Sequence, residues 1–377
     1  MKVLLIGRTA LMEVGGGDKV QIEQTALELR NLGIDVDIKT GIVFDMSGYD
    51  LVHLFQLDWV PPEHYFNIRI ARKHKLPIVV SPIHHKLSEV QKFDDLYVFD
   101  LRRVSKVLFK NQFSRDTFKN VYRTIMEPRI FIPTFRSVFL GFKKMQKRVL
   151  EEADAVLVQT HAETKDLNEI FGLDITNKSF KVVNGVSDNF INFKDLKNPF
   201  PFEDYIVSVG RIEPRKNQLS IISAVERLRE QTKKDIKLVF IGRFVGIKHA
   251  EYSGHFKKQL RKNDWIIHLD KVPYEKMPSY YKHAKVGASA SWFESTGLTS
   301  LEALYCGTNA VACGEQPKEY LGKFATYCVP ENIDSIYKAL KKEYLAPRPL
   351  IDESMKMAYT WKMAAKETQK VYKGLLS

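Results

Sequence analysis

Only three cysteines occur among 377 residues, Cys306, Cys313 and Cys328. They form no Cys-x-x-Cys pair and their number is odd, which argues against a disulfide framework or a cysteine zinc site and points to packed thiols in a reducing, cytoplasmic compartment. Long apolar runs are also missing: nothing approaches the ~18–20 uncharged residues that span a bilayer. The opening run, Met1 to Gly7, meets Arg8 at once and reads as a first buried strand rather than a secretory leader. Acidic residues are scarce in one stretch. Residues 102–148 hold 13 Lys and Arg against Asp116 and Glu127, a local +11 out of the whole chain's +13. A hydrophobic fraction of 44% with 27% charged residues excludes bulk disorder, and the length exceeds what one core organises, so two domains are expected.

What is present is a regular alternation. Short runs rich in Val, Ile and Leu (Val3 to Ile6, Val36 to Ile38, Leu51 to Leu54, Ile78 to Val80, Val156 to Val158) are separated by amphipathic segments, the pattern of parallel strands covered by helices. A second set starts at Ile206 and continues through Leu238 to Ile241, Ile266 to Leu269, Val286 to Ser289 and Ala310 to Ala312. Between the sets, residues 192–204 carry two prolines and no period, which suits an interdomain linker. The expected fold is α/β, two Rossmann-like doubly wound domains facing across a cleft, with ligands beyond the carboxyl ends of the strands. The boundaries are 1–195 and 204–358, with a terminal helix at 359–377 packing back toward the first domain.

Three constellations carry chemistry. Gly15-Gly16-Gly17 precedes Asp18 and a helical pattern, so backbone amides and a helix N-terminus can approach an anion there, although a flexible turn explains the glycines equally well. Arg211 and Lys216 follow the strand Ile206 to Val209; cations at a strand's carboxyl end can neutralise a diphosphate, whereas elsewhere they are ordinary solvated charges. The third runs from Ser291 through Glu294, Gly297 and Leu298 to Glu302. A strand ends, a turn carries one carboxylate, and a helix opens with free amides suited to phosphate. Glu302 falls one to two turns inside that helix, so the two carboxylates can flank a bound sugar and ribose as acceptors for vicinal hydroxyls.

With these residues, the whole chain resembles family 4 of the retaining glycosyltransferases of the GT-B fold. Glu294 and Glu302 look like its E-x7-E pair, and Gly210-Arg211 with Lys216, Asn184-Gly185-Val186, and Ala153-Asp154-Ala155-Val156 before Thr160 look like further landmarks. The resemblance implies a nucleotide-diphospho-sugar donor held mainly by the C-terminal domain, an acceptor held mainly by the N-terminal one, and retention of anomeric configuration without a metal ion or other cofactor. By the same resemblance Arg211 and Lys216 stabilise the leaving diphosphate, Glu294 orients the donor sugar, Glu302 meets the ribose, and Gly16, Gly17, Gly297 and Leu298 contribute to donor binding. A histidine near the reacting centre is matched by His84, with His85 as its rival; a hydrogen-bonding histidine at a strand end is the plainer reading. Two departures affect the sugar pocket: Ala290-Ser291-Trp292 stands where a Pro-Ser pair is common, and Ser295-Thr296 precede Gly297 in place of a glycine and an aromatic.

The basic stretch 102–148 also holds eight phenylalanines and tyrosines, among them Phe109, Phe113, Tyr122 and Phe135. That mixture suits an anionic membrane surface and an acceptor that is lipid-linked, part of a surface polysaccharide or a glycolipid; solvated helices with inward aromatics are the plainer alternative. Nucleic-acid binding through the same charges lacks any recognisable module and leaves the two glutamates without a purpose. An epimerase, a phosphorylase or a catalytically silent partner could be built on the same pair of domains, since a fold does not fix a function. Donor base, sugar and acceptor are not legible in the sequence.

Overall fold

The computed structural model describes residues 1–9, 11–14, 16–59, 61–97, 107–110, 112–115, 141–194, 196–246 and 249–377. Gly15 and most of the basic stretch 102–148 lie outside the described residues. The chain divides into two compact units: Met1–Leu87, Val104–Gly185 and Trp361–Ser377 form the first, Ser88–Arg103 and Val186–Thr360 the second.

The first unit is built on β1 (Lys2–Gly7), β2 (Asp35–Thr40), β3 (Leu51–Phe55), β4 (Ile78–Ser81), β5 (Ala155–Val158) and β6 (Ser179–Lys181), all parallel in the order β2-β1-β3-β4-β5-β6. In β1, Val3, Leu4, Leu5 and Ile6 are all 0% exposed. Successive side chains of a strand point to opposite faces, so Val3 and Leu5 join one core and Leu4 and Ile6 the other. Helices Gly17–Asn31 and Trp361–Leu376 cover the Val3 face through Ile22, Ala26, Leu29, Ala365 and Tyr372. Helices Pro61–Lys73, Phe142–Glu152 and His161–Phe171 cover the Leu4 face through Ile68, Val149, Leu150, Leu167 and Phe171. Each of the Ile, Leu, Val and Phe side chains among these contributes about 1.5–3 kcal/mol by burial. The terminal helix is also fixed by a polar contact inside the core: His53 Nδ1 lies 2.6 Å from the Tyr372 hydroxyl and His53 Nε2 2.8 Å from Ser81 Oγ. Burial pushes the His53 imidazole down to about 3, so it is a neutral core histidine.

The second unit carries β7 (Tyr205–Val209), β8 (Lys237–Ile241), β9 (Ile266–Leu269), β10 (Val286–Ala288), β11 (Asn309–Cys313) and β12 (Ala325–Cys328), again parallel, in the order β12-β11-β10-β7-β8-β9. Helices Gln218–Thr232 and Ile333–Leu345 pack on one face, placing Ile221, Val225, Leu228, Ile336 and Leu340 against Ile206, Leu238 and Val311. The end of the stretch read as a linker is packed rather than a loose tether: the rings of Phe200 and Phe202 stack at 4.8 Å and both meet Tyr205 of β7 edge-on. Cys313 and Cys328 are register partners on β11 and β12, with buried free thiols 2.8 Å apart, and Cys306 is also free and buried. From the other end of the sequence, helix Leu87–Leu96 brings Phe93 against Trp292 and Phe293, with ring centroids 5.7 Å apart in each case.

Candidate active site

In the second unit β7 and β10 are neighbours, and the chain departs from them toward opposite edges of the sheet, which makes the gap beyond their carboxyl ends a topological switch point. The loops that follow these two strands carry Arg211, Lys216 and Glu294. After β7 the backbone passes Gly210, over which the aliphatic chain of Lys216 lies so closely that a Cβ there would stand 3.2 Å from Cε. A 3-10 turn, Pro214–Lys216, then presents two adjacent cations. Lys216 Nζ donates to Glu294 Oε1. Arg215 Nη1 lies 3.4 Å from the same oxygen and donates to the Phe293 carbonyl at 3.1 Å. The Trp292 amide returns a bond to the Arg215 carbonyl at 2.9 Å. Beneath them Glu213 Oε1 accepts from Arg215 Nη2 at 3.1 Å and from Arg211 Nη2 at 3.3 Å.

This cluster sets three cations, Arg211, Arg215 and Lys216, against two carboxylates, Glu213 and Glu294. Burial alone would raise both carboxyls; Lys216 and Arg215 instead hold Glu294 well below the usual carboxylate range, and Arg215, Arg211 and Lys216 hold Glu213 at about 2. Burial draws the Lys216 ammonium below its ordinary value, against the pull of Glu294 and with the help of Arg215 beside it. A surplus positive charge in a partly buried cluster favours an anion beside it.

Next to it Gly297 caps the helix Leu298–Tyr305. Its first amides have no acceptor within the helix and carry the positive end of the helix dipole. Glu302 lies inside this helix, 8% exposed, and here the structure adds what the sequence did not show. The Tyr274 hydroxyl donates to Glu302 Oε1 at 2.7 Å and the Tyr281 hydroxyl to Oε2 at 3.1 Å. Burial raises the Glu302 carboxyl to about 7, and the two hydroxyls oppose the rise.

The expected residues of the first unit are placed differently. His84 is 4% exposed, with Nδ1 2.8 Å from Asp58 Oδ1 and Nε2 2.8 Å from Asp166 Oδ2. Desolvation would lower this imidazole, but Asp58 and Asp166 raise it to about 10, so it is an imidazolium with both protons engaged. Both ring nitrogens are thus committed to carboxylates within this unit. His85 is anchored by its amide, which donates to Asp58 Oδ2 at 3.0 Å. The Glu163 carboxylate accepts from the His84 amide at 2.8 Å and the Gln159 amide at 2.7 Å, and burial raises it to about 7. Gly16 has φ +133°, and a Cβ there would stand 2.7 Å from Asp18 Oδ1. Gly17 opens the helix whose first turn carries Asp18, paired with buried Arg8 at 2.6 Å, so this helix start already has an internal anion.

Arg215, Glu213, Tyr274, Tyr281, Asp58 and Asp166 went unnoticed in the sequence. The run Glu213-Pro214-Arg215-Lys216 beside a strand end was a usable signal for the first two; the tyrosines and aspartates carry none, because their partners lie 21 to 82 residues away.

Residues 192–357 match the family model described as Glycosyl transferases group 1. Over 359 residues the chain is 27% identical to N-acetylgalactosamine-N,N'-diacetylbacillosaminyl-diphospho-undecaprenol 4-alpha-N-acetylgalactosaminyltransferase of Campylobacter jejuni, covering 93% of this chain and 91% of that protein. Several other curated relatives are matched over only 36–42% of their length. Among solved structures, sucrose-phosphate synthase from Thermosynechococcus elongatus superposes with TM-score 0.69 at 14% identity, covering 100% of this chain and 99% of that one. HepE of Anabaena, solved in complex with UDP, gives TM-score 0.66 at 12% identity over 99% and 100% of the two chains. The two parallel six-stranded sheets and these likenesses identify the fold as GT-B.

Proposed function

We propose, from the premise that the chain is a glycosyltransferase of the GT-B fold, that it is a retaining, metal-independent enzyme moving a sugar from a nucleotide-diphospho-sugar to a lipid-linked acceptor or a growing surface polysaccharide. The observation that carries the reading is the ion cluster at the β7/β10 switch point, where Lys216, Arg215 and Arg211 outnumber Glu294 and Glu213 beside a helix N-terminus. In this reading the donor diphosphate takes the surplus charge of Arg211 and Lys216 and the amides at Leu298, a preorganised electrostatic sink of the kind that lowers a transition state by several kcal/mol. Glu294, held by Lys216 and Arg215, accepts from the donor sugar's hydroxyls, and Glu302 from the ribose.

The reaction breaks the bond between the anomeric carbon and the phosphate oxygen and forms one to the acceptor oxygen on the same face; the acceptor proton passes to the leaving phosphate. The clustered side-chain cations are the support for metal independence. The lipid-linked acceptor is supported by the Campylobacter relative, whose name specifies a diphospho-undecaprenol substrate. Among the described residues no helix is long and apolar enough to cross a membrane. Attachment from the cytoplasmic side through residues 102–148 would supply about 1 kcal/mol for each basic residue reaching an anionic surface.

The test is thermal unfolding against UDP-, GDP-, ADP- and CMP-sugars with EDTA present, because a ligand that binds the folded state alone raises the midpoint. A shift with one nucleotide that disappears in Lys216→Ala and Glu302→Ala is the expected result. A folded sample that responds to none of them, or responds only when a divalent metal is restored, sinks the respective part of the reading.

A further inference from the structure

Glu302 differs from Glu294 in its partners. Glu294 is answered by Lys216 and Arg215, whereas the contacts of the buried Glu302 among the described residues are two tyrosine hydroxyls, one on each oxygen. A carboxylate withdrawn from water without a cation is costly unless its oxygens are satisfied by hydrogen bonds. It has about four acceptor positions, and the tyrosines use two of them. One position stays open on each oxygen, the arrangement that receives two hydroxyls on adjacent carbons.

The tyrosines hold the carboxylate from two sides. Tyr281 is 1% exposed in the helix Met277–His283, whereas Tyr274, in the turn before it, is 39% exposed. Buried Phe190 packs on both rings, with centroids 5.1 Å from Tyr274 and 6.1 Å from Tyr281, and Asn189 Nδ2 donates to the Tyr274 carbonyl at 3.2 Å. The ring of Tyr274 thus stands at the surface with its hydroxyl directed at Glu302.

We propose that Tyr274 is a positioning residue for the nucleoside: its hydroxyl, with that of Tyr281, orients the Glu302 carboxylate toward the ribose hydroxyls and thereby sets the preference for ribonucleotides over 2′-deoxyribonucleotides. The inference rests on the reading of Glu302 as the ribose acceptor. It makes the preference pH-dependent. Burial brings the Glu302 carboxyl to about 7, and removing a tyrosine donor moves it further up. The groups facing it are Tyr274 and Tyr281, both raised by burial, and Cys306 at the end of its helix, raised likewise; Lys282 faces Cys306. Glu302 is therefore the member of this set that titrates near neutrality.

The experiment is calorimetric binding of UDP, GDP and ADP and their 2′-deoxy counterparts to the full chain in EDTA, at about pH 6, 7.5 and 9, for wild type, Tyr274→Phe and Glu302→Gln. The ratio of ribo to deoxy affinity is read, so titration of the ligand's own phosphate cancels. Wild type is expected to prefer its ribonucleotide by roughly tenfold near pH 7.5, about one hydrogen bond to a charged acceptor. Tyr274→Phe should lose most of that preference near pH 7.5 and regain it near pH 9, and Glu302→Gln should lose it at every pH. Tyr274→Phe keeps a partly exposed ring, so folding is not at stake. A wild-type ratio in Tyr274→Phe at every pH overturns the role of Tyr274 while leaving Glu302 in place. A wild type that binds a ribonucleotide and its deoxy partner equally overturns the ribose reading, and this inference with it.

Discussion

The His84 cage of the first unit and the partly buried Lys216 cluster of the second are both ion networks beside parallel strands, yet their charge balances are opposite. Asp58 and Asp166 surround one imidazolium and use both of its protons, leaving a net negative, closed arrangement. Arg211, Arg215 and Lys216 exceed Glu213 and Glu294 by one charge, leaving a net positive arrangement. The first spends both protons of its imidazole inside the unit; the second keeps a surplus positive charge, which the proposed function assigns to the donor diphosphate. Ionic residues at a strand end therefore mark a binding site only when the count of partners leaves something over.

Breaking the cage should give the largest stability effect. Asp166→Asn removes the carboxylate that accepts from His84 Nε2 at 2.8 Å and from the Leu87 amide at 3.1 Å. Leaving a buried imidazolium half-paired should cost about 3–5 kcal/mol in urea unfolding. The nucleotide-induced thermal shift should persist in the folded fraction; its loss would show that the cage serves binding as well.

Breaking the cluster should act on turnover instead. Lys216→Ala should lower the rate of nucleoside diphosphate release about 10²–10³-fold, the cost of one preorganised electrostatic contact, with a smaller loss of stability than Asp166→Asn, because Arg215 still pairs with Glu294 and the cluster gives up a surplus cation. An equal loss of stability and rate would erase the distinction between the two regions.

The cage also predicts a pH response. His84 is raised from 6.5 to about 10 in the folded chain, so the stability it contributes is complete below about pH 6.5 and is lost as pH rises through about 10. Protection factors of backbone amides around His84, which divide out the base-catalysed rise of intrinsic exchange, should fall across that window. His84→Gln should flatten the profile; an unchanged profile would assign the alkaline loss to other groups.

A smaller effect tests the frame around the cage. Thr160 caps the helix His161–Phe171 by accepting from the Glu163 amide at 3.1 Å, and that helix carries Glu163 and Asp166. Thr160→Ala should cost about 1 kcal/mol in unfolding without changing nucleotide affinity.

Much of the second unit's candidate site was legible in the sequence because its parts are local. Arg211 and Lys216 follow one strand, Glu294 and Glu302 flank one helix start, and the strand-helix alternation says which end they occupy. What was not legible depends on distant partners. Lys216 meets Glu294 78 residues away, and Tyr274 meets Glu302 across 28. His84 read as a plausible reacting group because its two aspartates, 26 and 82 residues distant, cannot be seen from a strand end.

The sequence by itself determined the two parallel sheets and the strand ends where charge collects, since side-chain period and buried apolar runs are properties of contiguous residues. The tertiary structure alone decided which charges are spent on one another and which remain for a ligand, because that balance is set by side chains brought together through the strand order, and a linear reading contains the charges without their distances.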